Sequence, residues 1–275
     1  GYTFDPDQLE VVHHAIVTRV RAAQVPDMVA KDRIDDGPGW SCLAGMGTST
    51  GERIAGWVPG QRPVVYGPGD GFDLPPGDVL VAQIHYHYAA DVPADRSGMT
   101  LQLDPATPEM VALQSRTLIA PVELPCPTGV EGPLCDRDAA IADVAERFGP
   151  GAPFIANGLH LGCRSTPEQI ASTFDGQVGS TTCDFSVRQG GDLIGMLGHM
   201  HEIGSSYRMT LHPDTEREQV LLDIPVWRRR LNFHIQTMHW FTWKKVWRFI
   251  KSTLIKLPED CGREKAQCLK LWFRL

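Results

Sequence analysis

Glycine and proline punctuate this chain too densely for a bundle of long helices. There are 27 glycines and 21 prolines among 275 residues. Runs such as "DGPGW", "GWVPGQRP" and "GPGDGFDLPPGD" mark successive turns between residues 37 and 79. The segments they leave are short and β-branched: "LEVVHHAIVTRV", "VLVAQIHYHYAA" and "GMTLQLD". The expectation is an all-β protein. Only "RDAAIADVAERF", residues 137–148, reads as a helix before the tail; it is alanine-rich and stops at Gly149-Pro150. Proline and acidic residues in "DPATPEM", 104–110, interrupt two β-rich blocks, so the chain divides into domains 1–106 and 107–275.

Charge separates the last 48 residues from the rest. Residues 228–275 hold 12 of the 26 Lys and Arg and three of the 33 Asp and Glu, giving +9 there and −16 before it. The acidic body argues against nucleic acid as a partner. In the tail, Trp240, Trp243, Trp247, Ile250 and Leu254 recur at steps of three and four, with Lys244, Lys245, Arg248 and Lys251 on the remaining surface. This spacing predicts a basic amphipathic helix, the one feature that would bring the chain to a membrane surface or a docking partner. No run approaches the roughly 18 apolar residues of a membrane span. The chain opens on Gly1 without an apolar leader, as a mature form or a fragment does.

Seven cysteines show no CxxC pairing of the zinc or redox kind. Cys126 and Cys135 bracket "CPTGVEGPLC", the spacing of a short disulfide ring, and Cys163 and Cys183 flank another irregular stretch. Connectivity does not follow from spacing, and the odd count leaves one thiol over. The expected location is secreted or extracytoplasmic.

Six of the ten histidines fall in three clusters: His13-His14, His85-x-His87 and His199-x-His201. A lone strand histidine is usually a hydrogen-bonded structural residue, and His160, His212, His234 and His239 are read that way. Clustered imidazoles on strands are different, because each buried one needs a partner. In "VLVAQIHYHYAA", Val81, Gln83, His85 and His87 share one face, and Leu80, Ala82, Ile84 and Tyr86 the other. His199 and His201 leave one face together only if "GMLGHMHEIG" is extended, with Met200 on the opposite face as core. Adjacent His13 and His14 point to opposite faces of a regular strand, so joint ligation needs a bulge or a strand end. There is no HExxH, no GxSxG and no phosphate-binding glycine loop. His-rich sites without a clear carboxylate suit copper.

The ordered motifs "VVHHAIV", "IAGWVPGQRP", "GDGFDL", "VAQIHYHY", "DRSGMTLQL" and "GHMHEIGSSYRMTL" cover about residues 1–227. In these the chain resembles the copper type II, ascorbate-dependent monooxygenases, the family of the peptidylglycine α-hydroxylating and dopamine β-monooxygenases. The resemblance implies two antiparallel β-sandwich domains, each with one mononuclear copper. It implies His13, His14 and His85 at an electron-transfer copper; His87 lies beyond the family pattern and is read as an outer partner of that site. It also implies His199 and His201 at an oxygen-activating copper that takes a methionine as third ligand. The implied reaction hydroxylates a C–H bond of a small organic substrate with O2, using ascorbate as reductant. Two positions depart from the family. The only counterpart of its methionine lies in "KAQCLKLWF", where Gln267 precedes Cys268; Met238 is the other candidate, at the wrong spacing. The arginine that grips a peptide carboxylate in amidating members is replaced by Leu197, which disfavours peptidylglycine.

Overall fold

The structure is a computed structural model. It describes residues 1–36, 39–42, 46, 51–86, 94–149, 151–187, 190–200 and 203–226, together with the backbone of three short strands further on. The chain is β-rich, with antiparallel sheets and a minority of helix. Two compact units are present, Gly1–Thr117 with Gly262–Leu275, and Leu118–Cys261.

The first unit contains β1 (Tyr2–Asp5), β2 (Val12–Val20), α1 (Val25–Ile34), β3 (Trp40–Ser41), β4 (Glu52–Trp57), β5 (Asp70–Gly71), β6 (Val79–Tyr86), β7 (Gly98–Leu101) and β8 (Val111–Ala112). In the second unit are α2 (Arg137–Phe148), α3 (Gly151–Cys163), α4 (Pro167–Ala171), β9 (Val178–Gly179), β10 (Tyr207–Leu211), β11 (Gln219–Ile224), β12 (Ile250–Lys251) and β13 (Ile255–Lys256). A last strand, β14 (Lys265–Leu269), belongs to the first unit.

The central sheet of the first unit runs β3-β14-β6-β2-β4, antiparallel throughout. Every residue of β6 is buried, because both of its faces are covered. On one face Leu80 and Ala82 pack with Val17, Ile54 and Ala55, and Phe72, Leu74 and Met99 close over them. On the other, Val79 and Val81 pack with Val20, Trp40 and the fully buried Met28 of α1. Burying side chains of this size stabilises the unit by roughly 1.5–3 kcal/mol each. The sheet that carries the histidines is therefore a rigid platform.

In the second unit β10 pairs with β11 and with β12, and β13 pairs with β9. Met209, Leu211, Leu221, Leu222 and Ile224 form the core of the β10–β11 face, and Leu193, Met196 and Leu118 pack against it. Two disulfides, Cys126–Cys135 and Cys163–Cys183, pin its irregular stretches. They are consistent with an extracellular protein. No helix among the described residues is long and apolar enough to cross a membrane.

Several expectations change. The helix at 137–148 is present as α2, N-capped by the Asp136 side chain, but α1, α3 and α4 join it. In α3 the "GPGAP" run reads as a breaker in sequence. Pro153 instead sits in the first turn, where a backbone N–H has no intrahelical acceptor. Of the tail, Trp240, Trp243, Trp247 and Leu254 lie outside the described residues. Ile250 does not continue a helix: Ile250–Lys251 pairs with Leu211 and Thr210 of β10, and that ladder outweighs local periodicity. Gln267 and Cys268, expected in the second domain, lie on β14 opposite Ile84 and Gln83 of β6 and so join the sheet of the first unit.

Candidate metal centre

His14 and His85 are direct register partners across β2 and β6, whereas Val12 pairs with Tyr86. One residue, His13, is left over between these pairs, so the strand bulges there. The packing records the consequence. Val12 and Ala15 both join Ile84 and Tyr86 in one core cluster although they lie three residues apart. In a regular strand such residues face opposite ways. The two residues between them, His13 and His14, therefore share the other face, where His85 also lies.

The three imidazoles are buried, with His13 5%, His14 8% and His85 4% exposed. His13 Nδ1 lies 3.0 Å from His14 Nδ1 and 3.2 Å from His85 Nδ1. One ligand atom from each residue falls within 4.8 Å of the others. Each ring stacks at a steep angle on the next, with centroids 4.7–5.2 Å apart.

A neutral Nδ1 carries either a proton or a lone pair, never both. As a donor, His13 Nδ1 has one proton to divide between two lone pairs; as an acceptor, it has one lone pair for two protons. A single cation receiving three lone pairs removes that conflict. At metal–nitrogen distances of about 2.0–2.1 Å, the two measured separations subtend roughly 95° and 105°. The donor set is all imidazole, which suits copper or zinc and not magnesium or calcium. A copper or a zinc ion fits the residues present.

The stretch that leads to His199 is not the strand that the sequence suggested. Residues 193–200 form no β-strand; His199 is exposed, and His201 and His87 lie outside the described residues. The stretch covers the β10–β11 face instead of joining its ladder. Leu193 and Met196 pack on the core. Gly198 is buried so closely that a Cβ there would lie 3.0 Å from Leu222, 3.1 Å from Ile224 and 3.1 Å from Tyr207. Met200 is half-buried, with its side chain against Gly204. Met238 lies outside the described residues.

His160, read from sequence as standing alone, is buried in a polar network. Its Nε2 lies 2.7 Å from Glu123 Oε1 and its Nδ1 3.1 Å from Ser165 Oγ. Arg137 donates two hydrogen bonds to the same carboxylate, at 2.9 and 2.7 Å. Burial drives the Glu123 carboxyl upward, but the bonds from Arg137 and His160 outweigh it and leave it below the ordinary range. The partners are far apart in sequence, and no local pattern marks them. Nearby backbone donors are already committed: Arg164 N–H to Leu161 O, Ser165 N–H to His160 O, Thr166 N–H to Gln169 Oε1. The network reads as the lock on the end of α3.

No family model, curated protein or solved structure matches this chain.

Proposed function

We propose that this chain is a copper-dependent monooxygenase that hydroxylates a C–H bond of a small organic substrate with O2 and ascorbate. In this reading its two units are diverged antiparallel β-sandwiches and the protein works outside the cytoplasm. The single observation that carries the reading is the bulge at His13, which turns an adjacent histidine pair and His85 onto one point. The order of the motifs from "VVHHAIV" to "GHMHEIGSSYRMTL" supports the finer assignment.

Copper held by His13, His14 and His85 supplies the one-electron chemistry that side chains lack. The chain's own part is to orient and to exclude. The ladder pair His14–His85 sets two imidazoles, and the bulge sets the third. Burial keeps bulk water from the Nδ1 atoms. His199 and His201 are proposed to serve a second copper, with Met238 as candidate third ligand; Gln267 belongs to the sheet of the first unit and is no longer a candidate. With Leu197 where amidating enzymes carry arginine, a peptide substrate is not expected.

A second reading, a copper-binding protein without catalysis, is favoured by His199 standing exposed on a segment that is not a strand. Copper titration with ascorbate-driven oxygen uptake separates the two. Uptake that requires copper and a small C–H substrate, and disappears in His14→Ala, supports the oxygenase. Copper bound at the three histidines without uptake across a panel of such substrates supports the second reading. No copper bound would defeat both.

A further inference from the structure

The Asp95 carboxylate ties together the two chain segments that flank the bulge. Its Oδ2 accepts the Tyr86 hydroxyl at 2.8 Å, and its Oδ1 accepts the Gln8 backbone N–H at 3.2 Å and the Ser97 hydroxyl at 2.8 Å. Tyr86 follows His85 on β6 and is the register partner of Val12. The Gln8 carbonyl in turn accepts the N–H groups of Val11 and Val12, at 3.0 and 2.9 Å, immediately before His13. A reciprocal pair strengthens the tie: Ser97 Oγ accepts Asp7 N–H at 3.1 Å, and Asp7 Oδ2 accepts Arg96 N–H at 3.0 Å.

We infer that Asp95 is a positioning residue for the three-histidine centre, holding the bulge in the form that turns His13 towards His14 and His85. The inference rests on the metal-binding reading of that centre. A bulge carries an extra residue that the ladder does not hold, so something outside the ladder must set its conformation. Here the pair beyond the bulge, Val12–Tyr86, is anchored on one side through Tyr86 and on the other through Gln8, and both anchors end on one carboxylate. Asp95 touches none of the imidazoles, so it acts through backbone placement. Partners hydrogen-bonded directly to a ligand change metal affinity about 10–100-fold when removed, and a residue acting through the backbone falls at the low end of that range.

The test uses the full chain with Cu(II) and Co(II) as probes. Asp95→Ala removes the links to Tyr86, Gln8 and Ser97 while leaving the bonds among Asp7, Arg96 and Ser97, and Tyr86→Phe removes one hydroxyl while keeping the ring in its apolar cluster. Thermal melts without metal show whether each variant folds. The expected result is about a 10-fold loss of Cu(II) affinity in Asp95→Ala, a smaller loss in Tyr86→Phe, and altered Cu(II) hyperfine coupling and Co(II) d–d bands in both. A residue that merely stabilised the fold would lower the melting temperature and leave those spectra unchanged. Wild-type affinity and spectra in a folded Tyr86→Phe and a folded Asp95→Ala would overturn the inference. Should Asp95→Ala not fold, Tyr86→Phe alone decides. Failure of the wild-type chain to bind either probe, or equal binding by His14→Ala, would remove the metal centre itself and the inference with it.

Discussion

His14 and His85 face each other across the β2–β6 ladder, and the ring nitrogen of the bulged His13 lies within 3.2 Å of the second and 3.0 Å of the first. The pair is set by sheet register, the third member by a break in it. Each histidine should therefore matter to the same ion.

Replacing His13, His14 or His85 singly with alanine should weaken copper binding by more than about 100-fold, beyond the usual loss from an outer-shell partner. Wild-type chain reduced with ascorbate and dialysed against a mild chelator should keep nearer one copper than two, because three imidazoles are already assembled at His13, His14 and His85, whereas His199 is exposed on a segment that is not a strand. Metal analysis of the four proteins in parallel reads both outcomes. Undiminished retention in all three variants would place the metal elsewhere.

Gly198→Ala should destabilise the second unit by about 1–3 kcal/mol, since its Cβ would press on Leu222, Ile224 and Tyr207. Gly195→Ala, where nothing lies within 4 Å of the added atom, is the control and should be close to neutral. Thermal denaturation of both variants checks the contrast. Equal melting temperatures would contradict the packing around His199.

The Glu123 carboxyl lies below its ordinary range in the folded chain. Its contribution is present above the unfolded value and is lost as pH falls through the lower folded one. Glu123→Gln should therefore cost about 1.5–3 kcal/mol at neutral pH, the range for hydrogen bonds to charged groups. The difference from wild type should shrink as the solution is acidified. Urea melts between pH 7 and pH 3 follow it, and a constant difference across that range would exclude the ionic network.

Burial pushes the Tyr207 phenol up to about 12. The unfolded phenol ionises near 10, so the folded state holds the proton where the unfolded state has lost it. Stability should fall as pH rises from about 10 towards 12, and Tyr207→Phe should remove that part of the alkaline slope. Burial also raises the Tyr66 phenol, so ultraviolet titration should show one fewer late-ionising phenol in the variant than in wild type, with Tyr66 still late in both.

The strands at Val12–Val20 and Val79–Tyr86 and the helix at Arg137–Phe148 were legible in the sequence, because β-branched runs, an alanine-rich stretch and a Gly-Pro stop act over a few residues. So were the histidines of the candidate centre, and the condition that His13 and His14 could cooperate only at a bulge or a strand end. That the bulge occurs, and which residue it expels, depended on pairing with a strand whose His85 lies 72 residues from His13. The same limit hid the Glu123–His160 contact, 37 residues apart, and the place of β14 beside β6. It also explains why "GMLGHMHEIG" misled: alternation of two histidines specifies a shared face only where a neighbouring strand holds the backbone extended, and 193–200 packs through Leu193, Met196 and Gly198 instead. Residue types and short-range turns were written in the sequence. Register, the bulge and the partners of buried charge were decided by the tertiary structure, because each depends on a backbone brought in from far along the chain.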